Sequence, residues 1–370
     1  MIEFDLKVLK MSKKIACFFP TVSGHKFLGG SERRMSRVLS RLTEDDFDVS
    51  IVIKTSAGNS DVVVGLYKNF CNEKVKLVTV KSNMGIVRHF AKNKYDWVLY
   101  PDCCFRAVPV IFGSFFARSK RMILNVNSGA DILYSNSFLR KAGYNFAVKA
   151  SHRVDCLYPW IFDDFKTRYS KKTITLTPCS FTDFNKFFAA PEKEKNIIFS
   201  GRLVPLKNSD LFVDAMIKIK EQLDGKGYKC LLCGDGDPVI RNSLEDKIKH
   251  DKCEDIIKLI GYADMAEILP YSRIYCSLQK ISNYPSQALI EAIACGNYCI
   301  ATQHQNDDLL IRPEFATFIE ESADSLAEAV LNAIEFSDEK WEQISKDAHE
   351  YALKNCHIDN QVNHYRNLLS

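Results

Sequence analysis

The sequence lacks any long apolar run. A membrane-spanning helix needs about 18 to 20 consecutive apolar residues. The nearest approach, residues 107–117, is shorter and contains Gly113 and Ser114. The opening stretch, MIEFDLKVLKMSKK, includes acidic side chains and lacks the apolar core of a signal peptide. We therefore expect neither a membrane span nor secretion, and we predict a cytoplasmic protein.

The 13 cysteines lack the short, regular spacings of a disulfide-rich domain, which favours a reducing compartment. One pair, Cys230 and Cys233, has a spacing that metal sites use. No second pair or histidine cluster accompanies it, and residues three apart on a strand face opposite sides of the sheet. We interpret both cysteines as core residues and predict no metal site.

The two halves of the chain carry opposite charge. Residues 1–190 contain 30 lysines and arginines against 16 acidic residues, a balance of +14, whereas residues 191–370 contain 20 against 30, a balance of −10. A basic half suits an anionic partner such as a membrane surface or a phosphate-bearing substrate. The alternative is a pattern that only maintains solubility. Because no nucleic-acid-binding module is recognisable, we expect no nucleic-acid partner.

Both halves alternate short apolar runs with amphipathic segments of helical length, which is typical of parallel sheets covered by helices. A chain of 370 residues exceeds the usual size of one core, so two doubly wound α/β domains are expected. The stretch FFAAPEKEKN has the composition of a linker and divides residues 1–190 from residues 191–344. The helical segment 345–370 is expected to pack back on the first domain.

The predicted strands follow this rhythm. In the first half they are Lys14–Pro20, Val49–Ile53, Trp97–Tyr100, Met122–Val126 and Ile174–Leu176, with a helix capped by Ser31 after the first strand. In the second half they are Asn196–Phe199, Lys229–Cys233, Ile256–Ile260, Ile274–Leu278 and Tyr298–Ala301. The predicted helices of the second half begin after Asn208 and cover Val239–Ile248 and Ser286–Ala294.

Three loops join a predicted strand to a predicted helix, where open parallel sheets bind ligands. They are residues 23–32, 201–208 and 279–287. In the second loop Gly201 permits a sharp turn, and Arg202 with Lys207 supplies two cations that could grip a diphosphate. The alternative is two ordinary surface cations.

Two aspartates, Asp235 and Asp237, flank Gly236 after the next strand. Their spacing could hold a divalent metal against a diphosphate. It also suits a turn before a helix, and we favour the turn.

The third loop leads into a helix with a single charged residue, Glu291. Ser286 is placed to cap this helix, and Gln287 lies one turn before Glu291 on the same face. Gly296 ends the helix after about three turns. That face is either solvated or holds a carboxylate for a ligand, such as the hydroxyl groups of a ribose.

Four motifs in matching order resemble the family 4 glycosyltransferases, which are retaining enzymes of the GT-B fold and include bacterial polysaccharide and lipopolysaccharide glycosyltransferases. The motifs are GRLVPLKN (201–208), LLCGDGDP (231–238), LIGYADMAEILPYSRIYCSLQ (259–279) and YPSQALIEAIACGNYCIAT (284–302). The resemblance implies two Rossmann-like domains facing a central cleft. It makes the first the acceptor domain and the second the donor domain.

The resemblance also implies roles for individual residues. Arg202 and Lys207 match the catalytic pair that stabilises the leaving diphosphate, and Glu291 matches the carboxylate that binds the donor ribose. The remaining donor-binding residues implied are Gly29, Gly30, Gly201, Asn283, Tyr284, Ser286 and Gln287. The implied reaction is metal-independent transfer of a sugar, with retention, from a UDP- or GDP-sugar, with no cofactor required.

Two departures from the family pattern concern catalysis. The family usually has a glutamate eight residues before the second one, where this chain has Ser282 or Asn283. It often has a histidine after a strand of the first domain, where this chain has Asn127, which can hydrogen-bond a sugar but cannot act as a base. A nucleotide-sugar-binding protein without transferase activity is therefore an alternative. A sugar-nucleotide epimerase would need acidic and histidine groups that the sequence does not reveal.

The segment 134–153, YSNSFLRKAGYNFAVKASHR, mixes basic and aromatic residues. This composition is typical of a helix that lies on an anionic membrane. It is also compatible with an ordinary basic surface helix. Because many relatives modify glycan or lipid-linked acceptors, we expect work at the inner face of the membrane.

Overall fold

A computed structural model describes residues 12–20, 28, 30–45, 47–55, 60–101, 104–126, 137–282, 284–304 and 309–370. The chain forms two compact units. The first contains the residues up to Pro178 together with Asp359–Ser370, and the second contains Cys179–Ile358. The chain thus divides before the stretch with linker composition, and the segment that returns to the first unit begins at Asp359 rather than near residue 345.

Hydrogen bonds explain why the stretch FFAAPEKEKN belongs to the second unit and is not a linker between the two units. The Lys193 ammonium donates to the backbone carbonyls of Pro270, Ser272 and Cys295 at 3.2, 3.0 and 2.7 Å. The stretch FFAAPEKEKN therefore includes a side chain that is anchored inside the second unit. The charged residues of this stretch resemble those of a linker, but the hydrogen bonds of Lys193 to three carbonyls attach the stretch to the second unit.

The first unit contains a parallel sheet of seven strands in the order β3-β2-β1-β4-β5-β6-β7. The strands are β1 (Lys13–Phe19), β2 (Phe47–Lys54), β3 (Lys76–Val80), β4 (Trp97–Pro101), β5 (Lys120–Val126), β6 (Arg153–Cys156) and β7 (Thr173–Leu176). The described helices are α1 (Gly30–Leu42), α2 (Ser60–Lys68), α3 (Asn83–Lys92), α4 (Cys104–Phe116), α5 (Phe138–Ala150) and α6 (Pro159–Arg168). Helix α1 begins two residues earlier than a cap at Ser31 predicts, so Ser31 lies in its first turn.

The second unit contains a parallel sheet of six strands in the order β10-β9-β8-β11-β12-β13. The strands are β8 (Glu194–Ser200), β9 (Lys229–Cys233), β10 (Ile257–Gly261), β11 (Ser272–Ser277), β12 (Tyr298–Thr302) and β13 (Ala316–Ile319). The helices are α7 (Ser209–Lys218), α8 (Lys220–Lys226), α9 (Pro238–His250), α10 (Met265–Ile268), α11 (Gln287–Ala294), α12 (Ala323–Ile334) and α13 (Asp338–Asn355), and α14 (Ile358–Leu369) follows.

The predicted strands are confirmed, with ends that differ by at most two residues. Strands buried on both faces form continuous apolar runs, and β1 shows this with five consecutive buried residues at Ile15–Phe19. Three strands, β3, β6 and β13, were not predicted because they are short and interrupted by polar residues. The prediction that Cys230 and Cys233 are core residues is confirmed, and burial raises the pKa of the Cys233 thiol to about 11.

The buried Asp155 of β6 binds the last helix to the first unit. Its carboxylate accepts hydrogen bonds from Thr175 Oγ1, Thr177 Oγ1, His364 Nε2 and Tyr365 Oη at 2.7 to 2.9 Å. A buried carboxylate is costly without such partners. This cluster therefore explains how residues from Asp359 onward belong to the first unit.

None of the helices in the described part of the chain combines the length and apolar composition needed to cross a lipid bilayer.

Candidate active site

The second sheet has a topological switch point beside β8. From β8 the chain adds β9 and β10 on one side, then crosses to add β11, β12 and β13 on the other. In such sheets the strand ends leave a crevice at the switch point, outside their carboxyl ends. Here the crevice lies between β8 and β11, and it is bordered by the loop 201–208 and by residues 278–282 and 284–286 of the loop before α11.

The first of these loops holds the two predicted cations. Its residues Pro205–Lys207 form a turn of 3-10 helix, in which the Lys207 backbone N–H donates to the Val204 carbonyl at 2.9 Å. The stem of the Lys207 side chain lies over Gly201, where a Cβ atom would be 3.6 Å from the lysine Cγ and Cδ. Arg202 is exposed to solvent. The lysine stem therefore packs over the backbone at the end of β8, at a distance that is an ordinary van der Waals contact.

The glycines after β9 let that loop approach the first one closely. A Cβ on Gly234 would lie 1.8 Å from the Gly201 carbonyl oxygen, and a Cβ on Gly236 would lie 2.5 Å from the Leu203 oxygen. The Leu203 backbone N–H donates to the Asp235 carbonyl at 3.1 Å. Because any side chain would clash with backbone, only glycine fits at positions 234 and 236.

The two aspartates of this loop make the contacts of a turn and a helix cap. Asp237 accepts a hydrogen bond from the Val239 backbone N–H at 2.9 Å and caps α9. Asp235 accepts one from the Gly236 N–H at 2.9 Å and lies 3.7 Å from Arg241. Within the described ranges, no three histidine, cysteine or acidic side chains are grouped so that they could hold a metal ion.

The ammonium of Lys207 has a specific partner across the crevice. It donates a hydrogen bond to Gln279 Oε1 at 2.6 Å, which joins the loop after β8 to the loop after β11. Burial lowers the pKa of Lys207, and the charge of Arg202 lowers it further. The two cations therefore repel each other, and an anion bound near both would relieve that repulsion.

Gln279 is a residue that sequence reasoning missed. Its Nε2 donates to the Ser282 backbone carbonyl at 2.7 Å. The backbone carbonyl oxygen of Gln279 lies 2.8 Å from both Thr302 Oγ1 and His304 Nε2. The side chain is buried. It is therefore fixed on both sides and holds the Lys207 ammonium in a defined position. A glutamine just after a strand carries no signal of this function in the sequence.

Helix α11 presents the predicted pair on one face. Ser286 caps the helix through a hydrogen bond from the Leu289 backbone N–H. Gln287 Nε2 donates to Glu291 Oε1 at 3.0 Å, which confirms that the two side chains share a face. Glu291 is half-buried, whereas its neighbours on the helix, from Leu289 to Ala294, are buried. The carboxylate is thus neither a fully solvated side chain nor a core residue.

Gln287 is itself held by residues far back in the chain. Its Oε1 accepts a hydrogen bond from Ser180 Oγ at 3.2 Å, and its Nε2 also donates to the Phe181 carbonyl at 3.2 Å. These contacts orient the amide that binds Glu291. Ser180 and Phe181 were not predicted, and nothing in their local sequence marks them.

The loop before α11 is stabilised by Ser282. Its hydroxyl accepts a hydrogen bond from the Tyr284 backbone N–H at 3.1 Å, and the Tyr284 side chain is buried. Asn283 lies outside the described residues, as do Gly29 and Asn127 of the first unit. Gly30 is described and begins α1, with no atom within 4 Å of the position that a Cβ would occupy.

The structure thus places those predicted residues of the second unit that it describes on the two borders of one switch point. Gly201, Arg202 and Lys207 lie on the loop after β8. The side chains from the other border are Tyr284, Ser286, Gln287 and Glu291. The Lys207–Gln279 hydrogen bond links the two borders. The arrangement can bind an anion at the two cations and present a carboxylate on the neighbouring helix.

Residues 180–351 match the family model of glycosyl transferases group 1. Among curated proteins, the chain is similar to a GalNAc-α-(1→4)-GalNAc-α-(1→3)-diNAcBac-PP-undecaprenol α-1,4-N-acetyl-D-galactosaminyltransferase of Campylobacter jejuni. The two are 28% identical over 159 residues, which is 42% of this chain. The match spans only 41% of the relative's length.

Solved structures resemble nearly the whole chain. A glycosyltransferase of Rickettsia africae has a TM-score of 0.73 at 16% identity, covering 97% of this chain and 98% of its own. Anabaena HepE in complex with UDP and glucose has a TM-score of 0.72 at 16% identity, with 96% and 99% covered. Sucrose-phosphate synthase of Thermosynechococcus elongatus has a TM-score of 0.70 at 16% identity, with 96% and 98% covered. The predicted GT-B fold is confirmed.

Proposed function

We propose that this chain is a glycosyltransferase that moves a sugar from a nucleotide-diphosphate sugar to a glycan or lipid-linked acceptor. The observation that carries the proposal is the pair of cations at the switch point, Arg202 and Lys207. Burial and Arg202 both lower the pKa of Lys207, so the pair is poised for an anion. The matched region, residues 180–351, contains this pair and Glu291.

The proposed chemistry needs charge stabilisation at the leaving group. When the bond between the sugar and the diphosphate breaks, negative charge develops on the diphosphate. The Arg202 guanidinium and the Lys207 ammonium would stabilise that charge, because preorganised cations act most strongly where charge develops. Glu291, oriented by Gln287, would accept hydrogen bonds from the ribose hydroxyls of the donor.

The finer points of the reaction follow from the resemblance. We propose retention of the anomeric configuration, as in family 4, with no metal required and no cofactor beyond the donor. Asp235 and Asp237 are engaged in a turn and a helix cap, which leaves the diphosphate charge to Arg202 and Lys207. UDP bound to the structurally similar HepE favours a UDP-sugar, with a GDP-sugar as the other candidate donor.

The proposed acceptor is a lipid-linked glycan, in the synthesis of a cell-surface polysaccharide or lipopolysaccharide. The name of the Campylobacter relative specifies a glycan on undecaprenol diphosphate. Such an acceptor lies in a membrane, so we propose that the protein works in the cytoplasm, at the inner face of an anionic membrane.

A second candidate is a protein that binds nucleotide sugars without transferring them. It is favoured by Ser282 and Asn283, one of which stands where the family usually has its first glutamate. The Ser282 hydroxyl accepts a hydrogen bond from the Tyr284 backbone, so it serves the loop. Across residues 278–282 and 284–286, which the structure describes, there is no carboxylate.

One experiment separates the two candidates. The protein is mixed with a panel of UDP- and GDP-sugars and with undecaprenyl-diphosphate-linked glycans, with and without EDTA, and release of the nucleotide is measured. Acceptor-dependent release that EDTA does not change is expected. Tight donor binding without release would favour the second candidate, and loss of release in EDTA would contradict metal independence.

A further inference from the structure

Four phenylalanines of the first unit lie on the surface as one group. Phe112, Phe115 and Phe116 on α4 are 50%, 66% and 69% exposed, and Phe146 on α5 is 44% exposed. The rings of Phe112 and Phe146 are 6.4 Å apart, and those of Phe115 and Phe116 are 6.2 Å apart. We call these four residues the phenylalanine patch. Exposing so much aromatic surface opposes solubility, and clustered patches of this kind mark interaction sites.

A cavity of about 580 Å³ opens beside the patch. Three of the four phenylalanines line it, and the rest of its wall includes Arg121, Lys149, His152, Lys171 and Lys172. Among the described residues that line the cavity there is no aspartate or glutamate. The surface therefore combines aromatic rings with positive charge alone.

The positively charged groups beside the patch lie close enough to lower the pKa values of their neighbours. Burial lowers the pKa of His152, and the charges of Arg121, Lys172 and Lys120 lower it further. Burial and Arg121 likewise lower the pKa of Lys172. A group of cations that already disfavours further protonation would be stabilised by a bound anion.

Two of these cations are fixed and two project into solvent. Arg121 donates to the carbonyls of Ala150 and Ser119 at 2.8 and 3.0 Å, and Lys172 donates to those of Lys149 and Ser151 at 2.5 and 2.6 Å. The side chains of Lys149 and Lys171 are exposed. These two lysines are therefore placed to reach an external anionic surface.

This surface lies at the amino ends of strands in the first sheet, whereas ligands are expected at the carboxyl ends. Arg121 is the second residue of β5, His152 precedes β6, and Lys171 and Lys172 precede β7, so the cavity sits at the amino ends of these strands. Parallel sheets bind substrates at the carboxyl ends of their strands. The site is thus distinct from a substrate crevice of this unit.

We infer that the phenylalanine patch and the surrounding cations dock the protein on a bilayer of anionic lipids. Phenylalanine rings partition into the boundary between headgroups and acyl chains, and lysines beside them pair with lipid phosphates. The charge of this surface is complementary to anionic headgroups, because no acidic residue is present among the described lining residues.

The patch is more specific than the basic and aromatic composition of residues 134–153. Only the last turns of α5 contribute to it. Phe138 and Leu139, at the start of that helix, lie roughly 18 Å from Ala150 along its axis and form no part of the patch. Helix α4, strand β5 and the residues before β6 and β7 supply the other groups, and the sequence alone did not connect these segments.

The test measures binding to vesicles directly, so its result does not depend on sugar transfer. The full chain is sedimented with vesicles of phosphatidylcholine alone and with vesicles that also contain phosphatidylglycerol, at low and high salt. Binding is expected only with phosphatidylglycerol, and it should weaken as salt rises.

Two exposed double variants locate the surface. Lys149→Glu with Lys171→Glu, and separately Phe115→Ser with Phe116→Ser, should each lower the partition coefficient at least about tenfold. The matched control, Val62→Ser with Lys68→Glu on the exposed side of α2, should bind as the unchanged protein does. Circular dichroism melting curves verify that all variants are folded.

Three results would overturn the inference. They are failure of the unchanged protein to bind phosphatidylglycerol vesicles, equal binding by both patch variants and the control, and binding of inorganic phosphate without any binding to vesicles.

Discussion

Replacing Gln279 by leucine tests whether the position of the Lys207 ammonium matters for the reaction. The substitution keeps the side chain close in size but removes the acceptor that lies 2.6 Å from Lys207 Nζ. A hydrogen bond to a charged group contributes about 1.5 to 3 kcal/mol. If that energy positions the ammonium for the leaving diphosphate, its loss corresponds to a decrease of roughly 10- to 150-fold in kcat/KM.

The assay is steady-state nucleotide release measured across pH. Besides the loss in kcat/KM, the alkaline limb of the pH profile should move to lower pH in Gln279→Leu, because the pKa of Lys207, already lowered by burial, loses a group that favours its charged form. Gln279→Glu should move the limb the other way, but the added carboxylate should weaken donor binding.

Thr302→Val is the structural control for this variant. It removes a hydrogen bond to the Gln279 backbone carbonyl and leaves the contact with Lys207 in place. Its pH profile should match that of the unchanged protein. Kinetics of Gln279→Leu that equal those of the unchanged protein at every pH would refute the positioning function of Gln279.

Three further predictions concern the charges of the two units. Arg202→Ala should weaken donor binding and raise the pKa of Lys207. Because the protonated lysine binds the diphosphate, the loss of binding at alkaline pH should move to higher pH, as measured by calorimetry across pH. A loss of binding at the same pH as in the unchanged protein would contradict this prediction. Lys193→Met should lower the free energy of unfolding by about 2 to 4 kcal/mol in urea, because three carbonyls lose a donor. Asp155→Asn should lower the free energy of unfolding by about 2 to 3 kcal/mol and speed proteolysis near α14. The reason is that four donors then face an amide, which accepts at one atom and donates at the other. Cleavage at the unchanged rate would argue against the proposal that Asp155 anchors α14.

Most strands could be predicted because they are apolar runs, whereas the short strands interrupted by polar residues were missed. Strand β1 has five consecutive buried residues, so its burial is visible in the sequence. Strand β6 is only Arg153–Cys156 and contains a charged residue, Asp155, which normally indicates surface. That charge is buried because His364 and Tyr365, more than 200 positions later, donate to it. The same contacts determine where the chain returns to the first unit.

The residues of the candidate site likewise include some that could be predicted from the sequence and some that could not. The positions of Arg202 and Lys207 on the loop after β8, and of Glu291 on the helix after the third loop, could be predicted because the order of strands and helices is visible in the sequence. Gln279 and Ser180 could not, because their functions depend on partners 72 and 107 residues away. An amide or a hydroxyl in a loop has the same local appearance whether or not it positions a charged side chain.

The most direct test of the proposed function is nucleotide binding by calorimetry with matched variants. The unchanged protein should bind UDP or GDP, and Arg202→Ala and Glu291→Ala should each weaken binding at least about tenfold. The controls Lys258→Ala and Glu342→Ala replace an exposed cation and an exposed carboxylate of the second unit and should leave binding unchanged. If Arg202→Ala and Glu291→Ala bind the nucleotide as tightly as the controls do, the proposed site is wrong.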